Sequence, residues 1–209
     1  MNFKKSSLTY IKTQKIFDFD LAFNTKHICG VDEAGRGPLA GPVVCAGVIM
    51  SYNNMIDGIY DSKKISEKKR LELFEKIKQA AICYHISIID RDIIDKINIL
   101  EATKLGMMEA ISGLSISPDR ILVDAVERLN IGREYAALIK GDQTSYAIAS
   151  ASILAKVTRD MIMCTYDKDY PEYGFGKHKG YGTAQHIQAI REFGLTPIHR
   201  KSFCKNFCN

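Results

Sequence analysis

The sequence predicts an α/β domain: a mixed five-stranded sheet flanked by helices, continued by a helical, basic C-terminal part. Two observations predict it. Short Val- and Ile-rich runs bounded by Gly, Pro and Asp read as buried strands, while longer segments between them carry apolar residues at helical spacing. Their order, β-β-α-β-α-β-β-α-α, does not alternate strictly, so the sheet is mixed rather than all parallel.

Residues 1–26 form a lysine-dotted N-terminal extension in which F-D-F-D-L-A-F is expected to dock as a short helix, and residues 27–209 form the domain itself. His27 to Asp32 reads as the first strand, Pro42 to Met50 as the second and Ile82 to Ile89 as the third. Ser66 is a good N-cap for a helix over Glu67 to Ala80, with Leu71, Phe74 and Ile77 on one face. Asn98 opens another helix, through N-I-L-E, that runs to about Ile111 before Gly113. R-I-L-V-D at 120–124 and A-A-L-I-K at 136–140 are two further buried strands. Helices follow over Ser145 to Asp169 and Thr183 to Phe193.

Composition bounds the function. With 209 residues, 46% hydrophobic and 25% charged, the chain can bury a core, which excludes disorder and fibrous repeats. The most apolar window, Leu39 to Met50, is a dozen long and interrupted by Gly41, Pro42 and Gly47, too short to span a bilayer. The N-terminus lacks the features of a secretory signal, and six cysteines show no C-x-x-C pair, so a reduced, cytoplasmic protein is expected. Cys204 and Cys208 lie near His199, but a fourth zinc ligand is missing, and His178, His186 and His199 are widely spaced in sequence. The net charge of +5 is concentrated between Gly176 and Asn209, where Lys177, Lys179, Arg191, Arg200, Lys201 and Lys205 face one acid, Glu192. Interleaved with Tyr173, Phe175, Tyr181, Phe193 and Phe203, this segment suits a polyanion with stackable bases.

The acids stand at strand ends. Asp32 and Glu33 close the first strand, Asp124 closes the fourth and Asp142 follows the fifth by two residues. Ligand sites of α/β sheets form outside strand ends, and four converging carboxylates cannot all stay ionised without a cation. Hard oxygen ligands in this number select Mg²⁺ or Mn²⁺, and such a cluster suits two-metal phosphoryl transfer. Gly35, Gly37 and Gly41 in D-E-A-G-R-G-P-L-A-G-P could suggest a dinucleotide loop. That motif needs a helix next, whereas here Pro38 and Pro42 bracket the loop and a strand follows. The glycines instead bring bare backbone close to a ligand, with Arg36 available for a phosphate.

G-V-D-E-A-G-R-G-P-L-A-G-P-V-V resembles the first signature of the type 2 ribonuclease H family. D-S-K-K at 61–64, I-L-V-D at 121–124, K-G-D at 140–142, A-S-A-S-I-L-A-K-V-T-R-D at 149–160 and H-K-G-Y-G-T at 178–183 follow in the family's order. The resemblance implies a ribonuclease H-like sheet and an endonuclease for the RNA strand of RNA–DNA hybrids and for single ribonucleotides embedded in duplex DNA. It implies that Asp32, Glu33, Asp124 and Asp142 hold two Mg²⁺ or Mn²⁺ ions and that the products are a 3′-hydroxyl and a 5′-phosphate. It further implies that Gly35, Arg36, Gly37 and Tyr181 recognise the ribonucleotide and that Lys63 binds backbone phosphate. Ser150, Ser152 and Lys156 are read as packing residues of a helix close against the sheet. The family's Gly-Asn after the fourth-strand acid is here Ala125 and Val126, which leaves the acid in place. A type 3 ribonuclease H is the alternative enzyme and a non-catalytic nucleic-acid-binding module the alternative class. A monomer without a membrane or sliding-clamp contact is expected, because F-C-K-N-F-C-N lacks Q-x-x-L.

Overall fold

A computed structural model describes residues 8–60, 62 and 65–207. Five strands, β1 (Ile28–Ala34), β2 (Val43–Met50), β3 (Ala81–Ile89), β4 (Arg120–Asp124) and β5 (Ala136–Leu138), form one sheet in the order β3-β2-β1-β4-β5. β1 pairs antiparallel with β2 and parallel with β4, and β5 is parallel to β4, so the sheet is mixed as expected.

The strands bury alternate residues against two helical layers. On one side Val44, Ala46, Val48 and Met50 of β2 pack with α1 (Leu8–Leu21), α2 (Glu67–Ala80) and the long α5 (Tyr146–Asp169). On the other, Val43, Cys45 and Ile49 meet α3 (Arg91–Ile97) and α4 (Ile99–Ser112). Ala149, Ala151 and Ala155 of the small-residue helix pack into the core on the α5 side of the sheet. Gly30 lies so close to α5 that an added Cβ would stand 2.0 Å from the Ala147 carbonyl carbon. Only glycine permits that approach. Three short helices, α6 (Phe175–His178), α7 (Ala184–Phe193) and α8 (Lys201–Cys204), form a third apolar cluster with Met163 of α5 and with Leu39 and Ala40 from the loop after β1. None of the described helices is long and apolar enough to cross a membrane.

Ser66 caps α2 by accepting from the Lys69 amide, and Asn98 caps α4 by accepting from Leu100 and Glu101. Several local expectations shift. The buried face of α2 is Leu73, Phe74 and Ile77, whereas Leu71 is exposed, because Leu73 is in phase with Ile77 on the inward stripe. β1 runs two residues past Asp32. β5 ends at Leu138, since Lys140 adopts a left-handed conformation (φ 55°) that turns the chain into a 3-10 turn at Gly141–Gln143. α1 begins well before the Phe17–Phe23 segment expected to dock, and Ile16 and Phe17 belong to the main core. α3, capped by Asp90, was not foreseen.

Candidate active site

Strand register places the acids. The parallel pairing of β1 with β4 ends at Val31 opposite Val123, both buried on the α4 side. The next residues, Asp32 and Asp124, alternate to the α5 face at the point where the two strands part. Pairing of β4 with β5 ends at Asp124 opposite Leu138, and the left-handed Lys140 then folds Asp142 back beside them. The turn is tied to β4 by a hydrogen bond from the Gly141 amide to Asp124 Oδ1 at 2.6 Å. Ala125 leaves the strand at φ 48°, where a glycine would be relaxed, and donates its amide to Leu138 at 3.0 Å. Val126, which follows it, packs into the core under α4.

These residues open into one cleft of about 400 Å³. Asp32, Glu33, Asp124 and Asp142 line it together with Gly35, Arg36, Gly37 and Tyr181. Asp32 is 4% exposed and Asp142 8%, while the Tyr181 ring is 45% exposed rather than part of the C-terminal core. It stands close to the glycine loop: a Cβ on Gly37 would lie 3.7 Å from the ring. Arg36 Nη1 is 3.8 Å from Glu33 Oε1. Lys63 lies outside the described residues.

Burial, and then the charges of Glu33 and Asp124, hold the Asp32 carboxyl well above the usual carboxylate range. Hydrogen bonds from Ser152 and from the Glu33 amide (2.7 Å to Oδ1) work in the opposite direction. A site this rich in half-buried negative charge is relieved by a cation, and four carboxylates offer the hard oxygens that Mg²⁺ or Mn²⁺ takes. The donor chemistry therefore fits a hard divalent metal, although among the described residues no three such side chains are already drawn together around one ion.

Four cleft residues were missed or underread. Ser152 and Lys156, read only as packing, line the cleft with Ser62 and Arg70. Ser152 lies 2.9 Å from Ser62 Oγ, and Lys156 and Arg70 converge on Asp160 at 2.7 and 3.7 Å. Polar residues four apart on one helix face, Ser152, Lys156 and Asp160, were the available signal.

The histidines widely spaced in sequence meet in space. His178 stacks on His186 at 4.6 Å, and His186 Nε2 is 3.0 Å from His199 Nε2. Burial pulls both His186 and His199 down to about 4, so each is neutral. Among the described residues they form a hydrogen-bonded pair. Cys204 is buried, and Cys208 lies outside the described residues. The basic segment also divides: Arg200 is wholly buried and Lys179 is bonded to Gly176 and Cys164, so neither is free for phosphate.

The chain as a whole is similar to known proteins. The family model for ribonuclease HII matches residues 29–206. A ribonuclease HII of Ruminiclostridium cellulolyticum is 55% identical over 199 residues, covering 94% of this chain and 78% of its own. One from Caldicellulosiruptor bescii is 52% identical over 181 residues, covering 87% and 88%. The crystal structure of ribonuclease H2 from Pyrococcus horikoshii superposes with a TM-score of 0.72 at 27% identity, over 86% of this chain and 96% of that one. Matched from β1 to the last helix, the chain belongs to the ribonuclease HII family and is a metal-dependent endoribonuclease that cuts the RNA strand of RNA–DNA hybrids.

Proposed function

We propose that the cleft hydrolyses the phosphodiester on the 5′ side of a ribonucleotide, within hybrids and at single ribonucleotides embedded in duplex DNA, leaving a 3′-hydroxyl and a 5′-phosphate. The observation that carries this reading is the convergence of Asp32, Glu33, Asp124 and Asp142 with Gly35–Gly37 and Tyr181 on one cleft. Asp32, Glu33, Asp124 and Asp142 are assigned to two divalent ions, Mg²⁺ or Mn²⁺, which when bound would supply an activated water and offset charge on the phosphate. Asp124, locked by the Gly141 amide, and Asp142, on the adjoining turn, are presented without reorganisation. The backbone of Gly35, Arg36 and Gly37 can meet a 2′-hydroxyl, the one group that separates RNA from DNA there, while the exposed Tyr181 ring lies against the sugar. Arg36 and Lys63 are assigned to flanking phosphates.

The role that follows is ribonucleotide removal during DNA replication and repair by a cytoplasmic monomer. The free cysteines among the described residues suit a reducing compartment. The decisive test is digestion of two end-labelled duplexes, one with a single ribonucleotide and one with a continuous RNA strand, under Mg²⁺, Mn²⁺ and EDTA. Cleavage 5′ to the single ribonucleotide, abolished by EDTA, is expected. Cutting only the continuous hybrid would refute the single-ribonucleotide reading, and cutting in EDTA would refute the metal reading. Sedimentation at assay concentration checks the monomer.

A further inference from the structure

We propose that the adjacent residues His199 and Arg200 are positioning residues that set ribonucleotide specificity by holding the Gly35–Gly37 loop and the Tyr181 loop in one fixed relation. The inference rests on the reading that these two loops recognise the ribose.

The two loops come from distant parts of the chain. The segment around His199 touches both. Leu39 donates to Gly180, Gly41 to Ile198 and Arg200 to Leu39, at 2.8, 2.9 and 2.8 Å, and Ala40 pairs with His199 as a β-bridge. Onto this main-chain weave the two side chains add opposite arms.

Arg200, 0% exposed, donates to three carbonyls of the glycine loop: Nη2 to Gly35 (2.6 Å), Nη1 to Arg36 (2.9 Å) and Nε to Gly41 (2.9 Å). In a trans peptide the C=O and the following N–H point opposite ways. Binding the Gly35 and Arg36 carbonyls from beneath therefore turns the Arg36 and Gly37 amides outward, on the open side of the loop. A planar guanidinium reaches three fixed acceptors at once, which a lysine cannot do. Arg159 fastens the next part of the loop and the tyrosine loop together, donating to Ala40, Pro42 and Lys179 at 3.0, 2.9 and 2.9 Å.

His199 makes the other arm. The Thr196 amide donates to His199 Nδ1 at 2.9 Å, so the proton of the neutral ring is on Nε2. Nε2 then donates to His186 Nε2 at 3.0 Å, which leaves the His186 proton on Nδ1, donated to the Tyr181 carbonyl at 2.9 Å. One chain of directed hydrogen bonds thus runs from Thr196 to the backbone of the tyrosine. Neither histidine touches the cleft, so both act through Tyr181.

The test is the ratio of kcat/KM on a single embedded ribonucleotide to that on a continuous hybrid, per folded molecule, with Mg²⁺. His199→Asn keeps polarity but is too short to reach His186, while His199→Gln keeps a donor near the position of Nε2. Arg200→Lys keeps the charge and loses the fork. His199→Asn and Arg200→Lys should each lower the ratio about tenfold or more, through kcat rather than KM, because small misplacement of recognition groups is costly. His199→Gln should restore most of it. Asp20→Ala, remote from both loops, should lower Tm without moving the ratio. A ratio kept by His199→Asn and Arg200→Lys, even with activity falling in proportion to lost fold, overturns the proposal, provided Tyr181→Ala does lose it. If Tyr181→Ala also leaves the ratio unchanged, the ribose-recognition reading fails instead.

Discussion

Two buried aspartates of this chain differ only in their surroundings. Asp20, at the end of α1, is wholly buried, and its Oδ2 accepts from Tyr52 Oη (2.7 Å), Ser145 Oγ (3.1 Å) and the Ala147 amide (2.8 Å). It binds α1 to the segment after β2 and to the first turn of α5, where the helix dipole favours negative charge. Asp32 is nearly as buried but faces Glu33 and Asp124 across an open cleft. Burial raises the pKa of both carboxyls, and hydrogen bonds counter it in both. What separates them is the like charge added at Asp32. Burial with three donors on one oxygen and no like charge beside it makes a structural acid, whereas burial with unresolved repulsion suits a site that takes a cation.

The comparison breaks most sharply on substitution. Asp32→Asn removes the repulsion while keeping the shape, so Tm in metal-free buffer should hold or rise, while hybrid cleavage at saturating Mg²⁺ should fall by roughly three or more orders of magnitude. Asp142→Asn should lose activity similarly, and the double variant should lose little more, since on the proposed assignment both losses disable one metal pair. Near-normal turnover of Asp142→Asn would remove that residue from the centre. At Asp20 the signs reverse. Asp20→Ala strands two hydroxyls and an amide and should cost about 2–4 kcal/mol of stability, with turnover per folded molecule kept. Chemical denaturation and active-site titration on the same samples read both quantities.

The sequence made the acids legible because Asp32–Glu33 and Asp124 close apolar runs and Asp142 follows one by two residues, a local pattern that survives without knowledge of the fold. The glycine loop was legible for the same reason, its prolines ruling out a helix. The parts not legible depend on closure over long separations. Arg200 meets Gly35 across 165 residues, and nothing local in I-H-R-K-S-F distinguishes a loop brace from a phosphate contact. Ser152 and Lys156 were visible, but their role depends on which face of α5 turns toward Asp32, which Gly30 decides by admitting Ala147 so closely.

A second closed network, the His186–His199 pair, gives a smaller effect. Both rings are held at about 4, mainly by burial, against 6.5 when unfolded. Between those values the unfolded chain binds more protons than the folded one, so this contribution is full above about pH 6.5 and is lost as pH falls toward 4. Each ring adds up to about 1.4 kcal/mol per pH unit inside that window. The raised carboxyl of Asp20 acts in the opposite sense, favouring the fold at lower pH, so the histidine part is read as a difference. His199→Gln should flatten the rise of stability between pH 4.5 and 6.5 relative to the parent. An unchanged profile would mean that the rings are not held neutral by the fold.

The smallest expected effect separates two arginines as the first separated two aspartates. Arg36 lines the cleft and is exposed, while Arg200 lies beneath the same loop with its donors committed to carbonyls. Only a cation that displaces counterions from phosphate enters the salt dependence of binding. Arg36→Ala should therefore reduce the slope of log affinity against log salt for a hybrid duplex by roughly 0.9, one phosphate's share. Arg200→Lys should weaken discrimination between substrates, and Arg200→Gln, which removes the charge, should leave that slope alone. Binding isotherms from low to moderate salt with Ca²⁺ replacing Mg²⁺, to hold cleavage off, measure both. A slope reduced by Arg200→Gln but not by Arg36→Ala would exchange their roles, making the buried guanidinium the phosphate ligand and the exposed one a partner of Glu33 alone.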